Sequence, residues 1–578
     1  MTIFKDSYKN FFSILIHFKS NKIYLIFFLY LFFTILEMIN IAAILPLISI
    51  LLEGENKLNN FFFFRYLEFQ NFKDNKETIY FLIVVTFIVF LIKAIVQTIA
   101  LKLQADYYAS VRTKIANFFY NIYLYKSFIY FQNKKQSSDI IRNLTNLSAV
   151  YSGFLERTLL LFNDFFVFLG VIIFFSFYNP QLFFSVFSIM LIISLIFVNF
   201  SKKYFFNLGK SLVDLSSSII KQIQETFNNI LQIKLLKKEN FFKNNFNTIV
   251  NDSNFKLGRV NFFQSLPKIF IELLAILILL TIISIFVFND YSTTEITSLI
   301  TLFLITIIRL IPLLGKLITY INSLSNFAPS LSILNDEIKD HSNNIDIDSK
   351  INSSQLDNLN KIDLKEIEFV YPETGVKIFS KVNLSFKKNN IYGIVGPSGS
   401  GKTTLLNIIT GLIIPTKGIV RYNEFNINNG YTAKIGYVSQ SSILLNSPIK
   451  NNIAFGCDNK DINEDKLINS LKNAQIFNEI KNLKKGYNTT VSELGGNFSV
   501  GQLQRISIAR LLYNESNILI FDEPTSSLDE ENSKNILNTI SKLREKGIVF
   551  IVSHNKDDMQ ICDEVYRINE KKIIMEKE

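Results

Sequence analysis

Six long apolar segments occupy most of the first 315 residues and constrain the fold more than any other feature of the chain. Each has the length that a helix needs to cross the ~30 Å hydrocarbon core of a bilayer, about 18 to 20 residues or more. Because a backbone in lipid must satisfy its own hydrogen bonds, the pattern predicts an α-helical polytopic membrane domain with six spans. The predicted spans are 23–52, 79–101, 159–178, 182–200, 269–288 and 296–314.

The distribution of basic residues that gives the net charge of +11 is explained by a membrane topology and does not indicate a nucleic-acid partner. Basic residues concentrate in two long segments, 102–142 and 202–259, which separate the second span from the third and the fourth from the fifth. The turn 178–180 has no charged residue, and the charged residues of 289–295 are all acidic. Since loops rich in Lys and Arg stay in the cytoplasm, both basic segments and both termini are predicted to be cytoplasmic.

The start of the chain has an apolar stripe with lysines around it. This pattern predicts a helix lying on the inner leaflet of the membrane. The stripe consists of Tyr8, Phe11, Phe12, Leu15 and Phe18.

A polar segment divides the chain into two parts. Residues 336–360 are rich in Asp, Asn, Ser and Lys and lack helical apolar periodicity, which is typical of a linker. The predicted domains are therefore a transmembrane domain at 1–335 and a soluble domain at 361–578. In the soluble domain, 362–371 and 382–386 alternate apolar and polar residues, as half-buried antiparallel strands do. The apolar run 391–395 predicts the central strand of an α/β core.

A phosphate-binding pattern, G-x-x-x-x-G-K-[ST], follows this central strand. Its glycines let backbone N–H groups surround a phosphate, Lys402 places an ammonium near the β- and γ-oxygens, and the Thr403 hydroxyl is suited to Mg²⁺. The apolar run after it predicts a helix whose dipole adds to the attraction. Alone, the pattern does not distinguish between a kinase, a GTPase and a transport ATPase. The predicted ATP-binding residues here are Gly396, Pro397, Ser398, Gly399, Ser400, Gly401, Lys402, Thr403 and Thr404.

Three further residues narrow that choice. Asp522 ends the apolar run 517–521, a position from which a carboxylate can hold Mg²⁺ through water. Glu523 follows directly and can orient or deprotonate the water that attacks the γ-phosphate. His554 lies just beyond the strand-like run 548–552 and can contact the same phosphate; a strand-end histidine bonded to a neighbour is the simpler interpretation if it stood alone.

With these motifs the sequence resembles the ATP-binding-cassette family. The resemblance implies that Tyr371 stacks on adenine and that Gln440 joins Mg²⁺ and water to the membrane domain. It also implies ATP and Mg²⁺ as cofactors, with Thr403, Gln440 and Asp522 as the metal residues, and catalysis by Glu523, His554 and Gln440. The segment 498–502 is similar to the family signature, which closes on the ATP of a partner subunit, so a single copy implies a homodimer. Phe498 and Val500 depart from the usual Leu and Gly. The signature residues are Ser499, Val500, Gly501 and Gln502, and Ser526 and Asp529 resemble the loop that signals across the dimer.

Six spans followed by one cassette resemble a half-size exporter of the bacterial lipid and drug exporter type, an ATPase coupled to transport. Further patterns lie in the membrane half: Glu37 and Pro46 in the first span, 266–272 entering the fifth, and 309–312 in the sixth. By these residues the membrane half most resembles the flippase for lipid-linked oligosaccharides in bacterial protein N-glycosylation, which implies the bacterial inner membrane with the cassette in the cytoplasm. Lys93 and Arg309 lie inside apolar runs, where a cation calls for an anionic partner or ligand. With Lys268 they are candidates for binding the pyrophosphate of the lipid. The alternative is that these cations pair within the bundle, Lys268 with Glu272, and Arg309 with Glu37 or Glu272.

Other functions stay open at this point. The same ATP-hydrolysing cassette is compatible with an exporter of peptide, drug or lipid A-like cargo. A soluble cassette protein acting on ribosomes or DNA conflicts with six spans. A regulatory, non-transporting membrane ATPase is harder to exclude, although the intact Glu523 and His554 argue against an inactive site. A heterodimer with a second half-transporter is also compatible with the sequence.

Overall fold

The computed structural model describes residues 6, 8–13, 22–53, 75–133, 137–178, 180–289, 293–342, 354–372, 374–440, 444–492, 497–526, 528–569 and 572–577. Within these, the side chains of 22–23, 40–53, 75–78, 133, 174–178, 180–187, 286, 293–309, 341–342 and 577 are not part of the description. The chain forms two compact units, one of residues 1–125 and 135–343, the other of 126–134 and 344–578.

The first unit is built from long helices. They are α1 (Lys22–Glu53), α2 (Asn75–Leu124), α5 (Ser148–Tyr178), α6 (Pro180–Asn228), α8 (Glu239–Phe288) and α9 (Thr293–Ser342). Two short helices, α4 (Ser137–Arg142) and α7 (Ile230–Leu235), complete the unit, and a π-helical turn, Asn143–Leu147, joins α4 to α5. Each of the six predicted spans falls on one of the six long helices, so the helical fold of this unit is confirmed.

Three described stretches are long and apolar enough to cross a membrane, namely Ile79–Leu124, Ser188–Asn228 and Glu239–Ile285, and Tyr24–Ile39 is a shorter apolar one. The number of spans therefore stays a prediction. The 50-residue helices would each be about 75 Å long at 1.5 Å per residue, more than twice the hydrocarbon thickness. The outer surface of α2 is apolar, as shown by Phe87 and Ile95, which are 66% and 52% exposed. Such surfaces are suited to lipid.

The start of the chain differs in part from the expectation of a helix on the membrane surface. Phe11 is only 2% exposed and lies 5.4 Å from the ring of Tyr151 and 5.0 Å from that of Phe154, both on α5. It is thus a core residue, because aromatic neighbours on α5 cover it, whereas Phe12 is 53% exposed. Leu15 and Phe18 lie outside the described residues.

The predicted linker is also partly regular. Helix α9 continues to Ser342, seven residues into the segment 336–360. The reason is a stripe of buried residues, Leu331, Leu334 and Ile338, which continues the apolar face past residue 336. Further on, β1 (Ser354–Leu356) pairs in parallel with β7 (Tyr431–Ala433).

A six-stranded sheet forms the centre of the second unit. Its order is β12-β11-β4-β10-β9-β8, and all neighbours are parallel except the edge strand β12. The predicted strand 391–395 is β4, which lies inside the sheet as expected. The strands are β4 (Ile391–Val395), β8 (Ile435–Val438), β9 (Ile518–Asp522), β10 (Ile548–Val552), β11 (Glu564–Asn569) and β12 (Lys572–Lys577).

A second, four-stranded sheet has the order β3-β2-β5-β6. It consists of β2 (Lys361–Val370), β3 (Lys377–Lys387), β5 (Lys417–Tyr422) and β6 (Phe425–Asn426). β2 and β3 are antiparallel, with Leu364 opposite Leu384, which confirms the strands expected from the alternating pattern.

Helices cover the sheets. They are α3 (Phe128–Asn133), α10 (Lys402–Ile409), α11 (Ile449–Ile453), α12 (Glu464–Asn473), α13 (Phe477–Lys481), α14 (Val500–Tyr513), α15 (Glu530–Lys542) and α16 (Lys556–Gln560). Alternate residues of β9 enter two apolar clusters, Leu519 and Phe521 in one, Ile518 and Ile520 in the other. This burial on both faces is what a parallel sheet requires. Ile129 of α3 packs against the second cluster.

Candidate nucleotide-binding site

The predicted phosphate-binding, metal and catalytic residues of the second unit follow strands that end at one edge of its six-stranded sheet. Strands β4, β10, β9 and β8 are parallel, with Val552 opposite both Asp522 and Ile394, and Val438 opposite Phe521. Their carboxyl ends therefore meet at the same edge, where open α/β sheets bind ligands. The phosphate loop, Asp522 with Glu523, His554 and Gln440 all follow these strand ends.

Glycines shape the phosphate loop, which runs from β4 into α10. Gly399 and Gly401 have φ angles of 78° and 107°, in the left-handed region that favours glycine. A Cβ at Gly401 would lie 2.7 Å from Ile378 Cγ2, and one at Gly396 would lie 2.7 Å from the Ile568 carbonyl oxygen. The loop thus needs glycine both for its backbone conformation and for its close packing.

Gly401→Ala tests this requirement. We expect nucleotide affinity to fall at least tenfold, because the loop must move to relieve a left-handed backbone cost of about 1 to 3 kcal/mol and the collision with Ile378. Gly486→Ala is the control, since its φ of 52° is also positive but a Cβ there meets nothing within 4 Å. Titration of a fluorescent ATP analogue measures both variants. Equal affinity of Gly401→Ala and the native protein would contradict the account.

Lys402, the first residue of α10, points back into the loop. Its ammonium donates to the carbonyl oxygens of Gly396 at 2.6 Å and Pro397 at 3.1 Å, and lies 3.3 Å from His554 Nε2. Burial lowers the pKa of Lys402, while the carboxylates of Glu523 and Asp522 act in the opposite direction. The ammonium is therefore a partly desolvated charge, which attracts a phosphate more strongly than a fully hydrated one.

The loop also fits a phosphate through Ser400. Its Oγ is buried and has no hydrogen-bond partner within the part of the chain that the structure describes. A buried hydroxyl without a partner is costly, and a phosphate oxygen would satisfy it. Together with the helix N-terminus at Lys402 and the exposed Thr403 in its first turn, this orphaned donor makes the loop suited to a nucleotide.

Two carboxylates lie at the end of β9, each held by a polar side chain of the β8 segment. Asp522 Oδ2 accepts a hydrogen bond of 2.7 Å from the Tyr437 hydroxyl, and Glu523 Oε2 accepts one of 2.7 Å from Gln440 Nε2. Glu523 has a φ of 49°, which is unfavourable for a side-chain-bearing residue, and its N–H donates to the Val552 carbonyl. Burial, followed by the bond to Asp522, raises the pKa of Tyr437, so its hydroxyl stays a donor.

A metal ion at this edge would be bound by oxygen atoms from different kinds of side chain. Among the described residues, no group of three or more His, Cys, Asp or Glu side chains could hold a metal by itself. The predicted donors are the Thr403 hydroxyl, the Gln440 amide and the Asp522 carboxylate, all of them oxygen donors. Such a sparse oxygen set suits Mg²⁺, which usually keeps several waters and shares substrate phosphates.

Tyr371 lies beside the phosphate loop. Its hydroxyl is 3.0 Å from Thr404 Oγ1, and its ring meets that of Phe369 edge-on, with the ring centres 5.0 Å apart. The ring is partly exposed next to the start of α10, and adenine stacking on it stays a prediction.

The signature segment forms the N-terminus of α14. Ser499 caps the helix: its Oγ accepts from the Gln502 N–H at 3.2 Å, and its own N–H donates to Gln502 Oε1 at 2.9 Å. A hydroxyl that accepts one bond still has its proton to donate, so the capping role is compatible with phosphate binding. A Cβ at Gly501 would lie 2.9 Å from Leu528 Cδ2, which gives an internal packing reason for glycine there. Val500 is 48% exposed.

The predicted signalling loop follows Glu523. Ser526 Oγ donates to the Glu523 carbonyl at 3.1 Å. Asp529 caps α15, and hydrogen bonds, chiefly from the Asn532 side chain, lower the pKa of its carboxyl group. Ser526 is thus bonded to the backbone of Glu523, while Asp529 is bonded to the helix that follows.

Of the three cations predicted for the membrane cavity, the two whose side chains are described each pair with a carboxylate. Lys93 forms an ion pair with Glu37, whose side chain is 9% exposed, and lies 5.6 Å from the ring centre of Phe33. Lys268 is 65% exposed and lies 3.7 Å from Glu272. Arg309 is on α9, but its side chain is outside the described part.

Sequence reasoning missed several partners of these residues. Tyr437, three residues before Gln440, donates to Asp522 but belongs to no motif that assigns it a role. Thr525 donates to both oxygens of the fully buried Asp558, at 2.8 and 3.0 Å, and so links the segment after Glu523 to α16. In the first unit, the buried Asp164 accepts from Tyr320 at 3.2 Å. Each of these pairs joins distant parts of the chain, and no local pattern reports them.

Comparison with known proteins agrees with this geometry. The family described as ABC transporter matches residues 379–526, and the family described as ABC transporter transmembrane region matches residues 25–310. Together these matches cover three quarters of the chain. A solved structure titled "Structure of a bacterial Atm1-family ABC exporter with ATP bound" shares the fold, with a TM-score of 0.73 and 16% identity, over 96% of this chain and 95% of that one.

Curated relatives match over a shorter region. A probable ABC transporter ATP-binding/permease protein of Haemophilus influenzae is 35% identical over 227 residues, 39% of this chain and 40% of that protein. The toxin RTX-III translocation ATP-binding protein of Actinobacillus pleuropneumoniae is 38% identical over 220 residues, and the alpha-hemolysin translocation ATP-binding protein HlyB of Escherichia coli 36% over 217. Each match covers 37% of this chain and 30% of the relative. The chain belongs to the ABC transporter family, with an ATPase cassette and a helical transmembrane region in one polypeptide.

Proposed function

We propose that the protein is a multi-pass membrane exporter in which ATP hydrolysis at the cassette drives outward transport. The observation that carries this proposal is the convergence of the phosphate loop, Asp522, Glu523, Gln440 and His554 at one sheet edge of a chain whose other unit consists of long apolar helices. A non-transporting ATPase would not need the second feature.

The residues at this edge divide the work of hydrolysis. Lys402, Ser400 and the loop N–H groups bind the phosphates, and Glu523 accepts the proton of the attacking water. Gln440, bonded to Glu523, fixes the orientation of that carboxylate, and His554 beside Lys402 is placed to contact the γ-phosphate. Mg²⁺, when bound near Thr403 and Asp522, would neutralise charge on the β- and γ-phosphates.

The working form in this proposal is a homodimer. Ser499 and the exposed Val500 leave the N-terminus of α14 open to the ATP of a second copy. Around α7, Leu231, Leu235 and Leu236 are 66%, 68% and 64% exposed, an apolar surface that favours association over hydration. A heterodimer would use the same surfaces, and the elution volume and composition of the purified protein distinguish the two.

For the cargo, a polypeptide is the first candidate, within the broader class of peptide, drug or lipid A-like exporters. The support is that relatives from three bacterial species are described as translocators or exporters of toxins, leukotoxin or hemolysin. These relatives also support the inner membrane of a bacterium as the location, with the cassette in the cytoplasm.

Stimulation of ATPase activity tests the cargo class. The purified protein in liposomes is given unstructured peptides, a cationic drug, lipid A or lipid-linked oligosaccharide, and hydrolysis is measured at rising concentration. The proposal expects saturable stimulation by peptide. Saturable stimulation by lipid-linked oligosaccharide alone would contradict the polypeptide choice and restore the flippase.

The flippase for lipid-linked oligosaccharide is the second candidate. It draws on the resemblance of the membrane half and on Lys93, Lys268 and Arg309 as a pyrophosphate site. Against it stands the pairing of both cations whose side chains are described, Lys93 with Glu37 and Lys268 with Glu272. The second pair is the one expected if the cations pair within the bundle, and the first joins Glu37 to a different cation from the one expected.

Variants of the Lys93–Glu37 pair separate these interpretations. If the pair is structural, Lys93→Met should lower the free energy of unfolding by about 3 to 5 kcal/mol, because it removes the cation paired with the buried Glu37 carboxylate, and Lys93→Met/Glu37→Met should recover most of that loss. Lys102→Met, at an exposed position on the same helix, is the control. Thermal unfolding and lipid-linked oligosaccharide flipping are measured together. A Lys93→Met protein with native stability and no flipping would favour the pyrophosphate site instead.

A further inference from the structure

Among the described residues, Tyr437 is the one side chain outside β9 that donates a hydrogen bond to the Asp522 carboxylate. Its hydroxyl donates to Oδ2 at 2.7 Å, within the range of a strong O–H···O⁻ bond. Asp522 is the carboxylate assigned to the metal, so a donor on one of its oxygens affects how the other oxygen is presented.

The pairing of β8 with β9 explains this contact. Tyr437 lies opposite Ile520 in the parallel register, and Asp522 is two residues further along β9. Side chains two residues apart on a strand lie on the same face, so Tyr437 and Asp522 are diagonal neighbours. The aromatic side chain of Tyr437 spans this diagonal, as its 2.7 Å hydrogen bond to Asp522 shows. The contact is therefore built into the sheet and does not depend on a loop.

The same strand end holds both carboxylates. Gln440, three residues after Tyr437, donates to Glu523, so the segment from β8 restrains the metal carboxylate and the catalytic carboxylate at once. Of the two bonds, only the one from Tyr437 acts on Asp522.

We propose that Tyr437 is a positioning residue for the metal: by occupying Oδ2, it fixes the rotamer of Asp522 and leaves Oδ1 for the hydrated cation. This inference rests on the proposed function, because Mg²⁺·ATP binding is part of that proposal. Hydrogen-bond partners of metal-binding side chains hold those side chains in their ligating orientation, and their loss commonly weakens metal affinity 10- to 100-fold.

Tyr437→Phe removes the donor and keeps the ring. The full-length protein is titrated with a fluorescent ADP analogue, first without metal and then at rising Mg²⁺. The expected result is an increase of about tenfold in the Mg²⁺ concentration for half-maximal effect, with metal-free affinity unchanged within about twofold. Tyr431→Phe is the matched control, since Tyr431 lies on β7 and packs on Phe425, with ring centres 4.5 Å apart. It should match the native protein.

Three outcomes decide the matter. An unchanged Mg²⁺ dependence in Tyr437→Phe overturns the inference and leaves the proposed function standing. A fall in metal-free affinity of the same size also overturns it, because Tyr437 would then act on the nucleotide or on folding. If Mg²⁺ does not affect nucleotide binding by the native protein, the proposed function itself is contradicted, and the inference with it.

Discussion

Glu523→Gln is expected to reduce ATP hydrolysis by about 10²- to 10⁴-fold, the usual contribution of a positioned general base, while ATP binding survives. The carboxylate receives a hydrogen bond from Gln440 and is fixed by a left-handed backbone and an N–H bond to Val552. An amide of the same shape can retain the contact with Gln440 but cannot accept a proton from water. ATP should therefore stay bound, and the closed dimer should accumulate.

Phosphate release and size-exclusion chromatography with ATP measure these two effects. Glu531→Gln, an exposed carboxylate at the start of α15, is the control and should hydrolyse ATP normally. Near-native hydrolysis by Glu523→Gln would mean that another group acts as the base.

Lys402→Ala is expected to weaken ATP binding by about 10- to 100-fold, which corresponds to the 1.5 to 3 kcal/mol of a hydrogen bond to a charged group. The ammonium is partly desolvated and directed into the loop by the Gly396 and Pro397 carbonyls, so its position is set before phosphate arrives. The membrane unit has no part in this contact, and assembly of the protein should not change.

Equilibrium titration with ATP and the elution volume of the protein test this pair of expectations. Lys417→Ala, whose side chain is 75% exposed on β5, controls for loss of a positive charge. Unchanged ATP affinity in Lys402→Ala would remove the phosphate site from this loop.

The cassette was predictable because its function needs particular backbone conformations at particular positions. The glycine spacing reported a loop that only glycine can form, and Gly401 indeed combines a positive φ with contact to Ile378. The alternation in 362–371 and 382–386 gave the antiparallel pair β2 and β3, because one face of each strand is buried.

Contacts between distant segments were not predictable in the same way. The bond from Tyr437 to Asp522 depends on which residue of β8 lies opposite Ile520, and strand register across 85 residues leaves no local pattern. The Lys93–Glu37 pair depends similarly on how α1 and α2 pack, so sequence reasoning did not join these two residues and offered Glu37 only as one of two partners for Arg309. The predicted linker began at 336, although α9 continues to Ser342, because the polar residues after 336 hide its buried face at Ile338.

Accumulation of labelled peptide in inside-out vesicles is the most direct test of ATP-driven export. Vesicles with native protein and vesicles with Glu523→Gln are compared in the presence of Mg²⁺ and ATP. The account predicts uptake against a gradient by the native protein only. Glu523-dependent ATP hydrolysis without movement of peptide, drug, lipid A or lipid-linked oligosaccharide would contradict export and identify a non-transporting membrane ATPase.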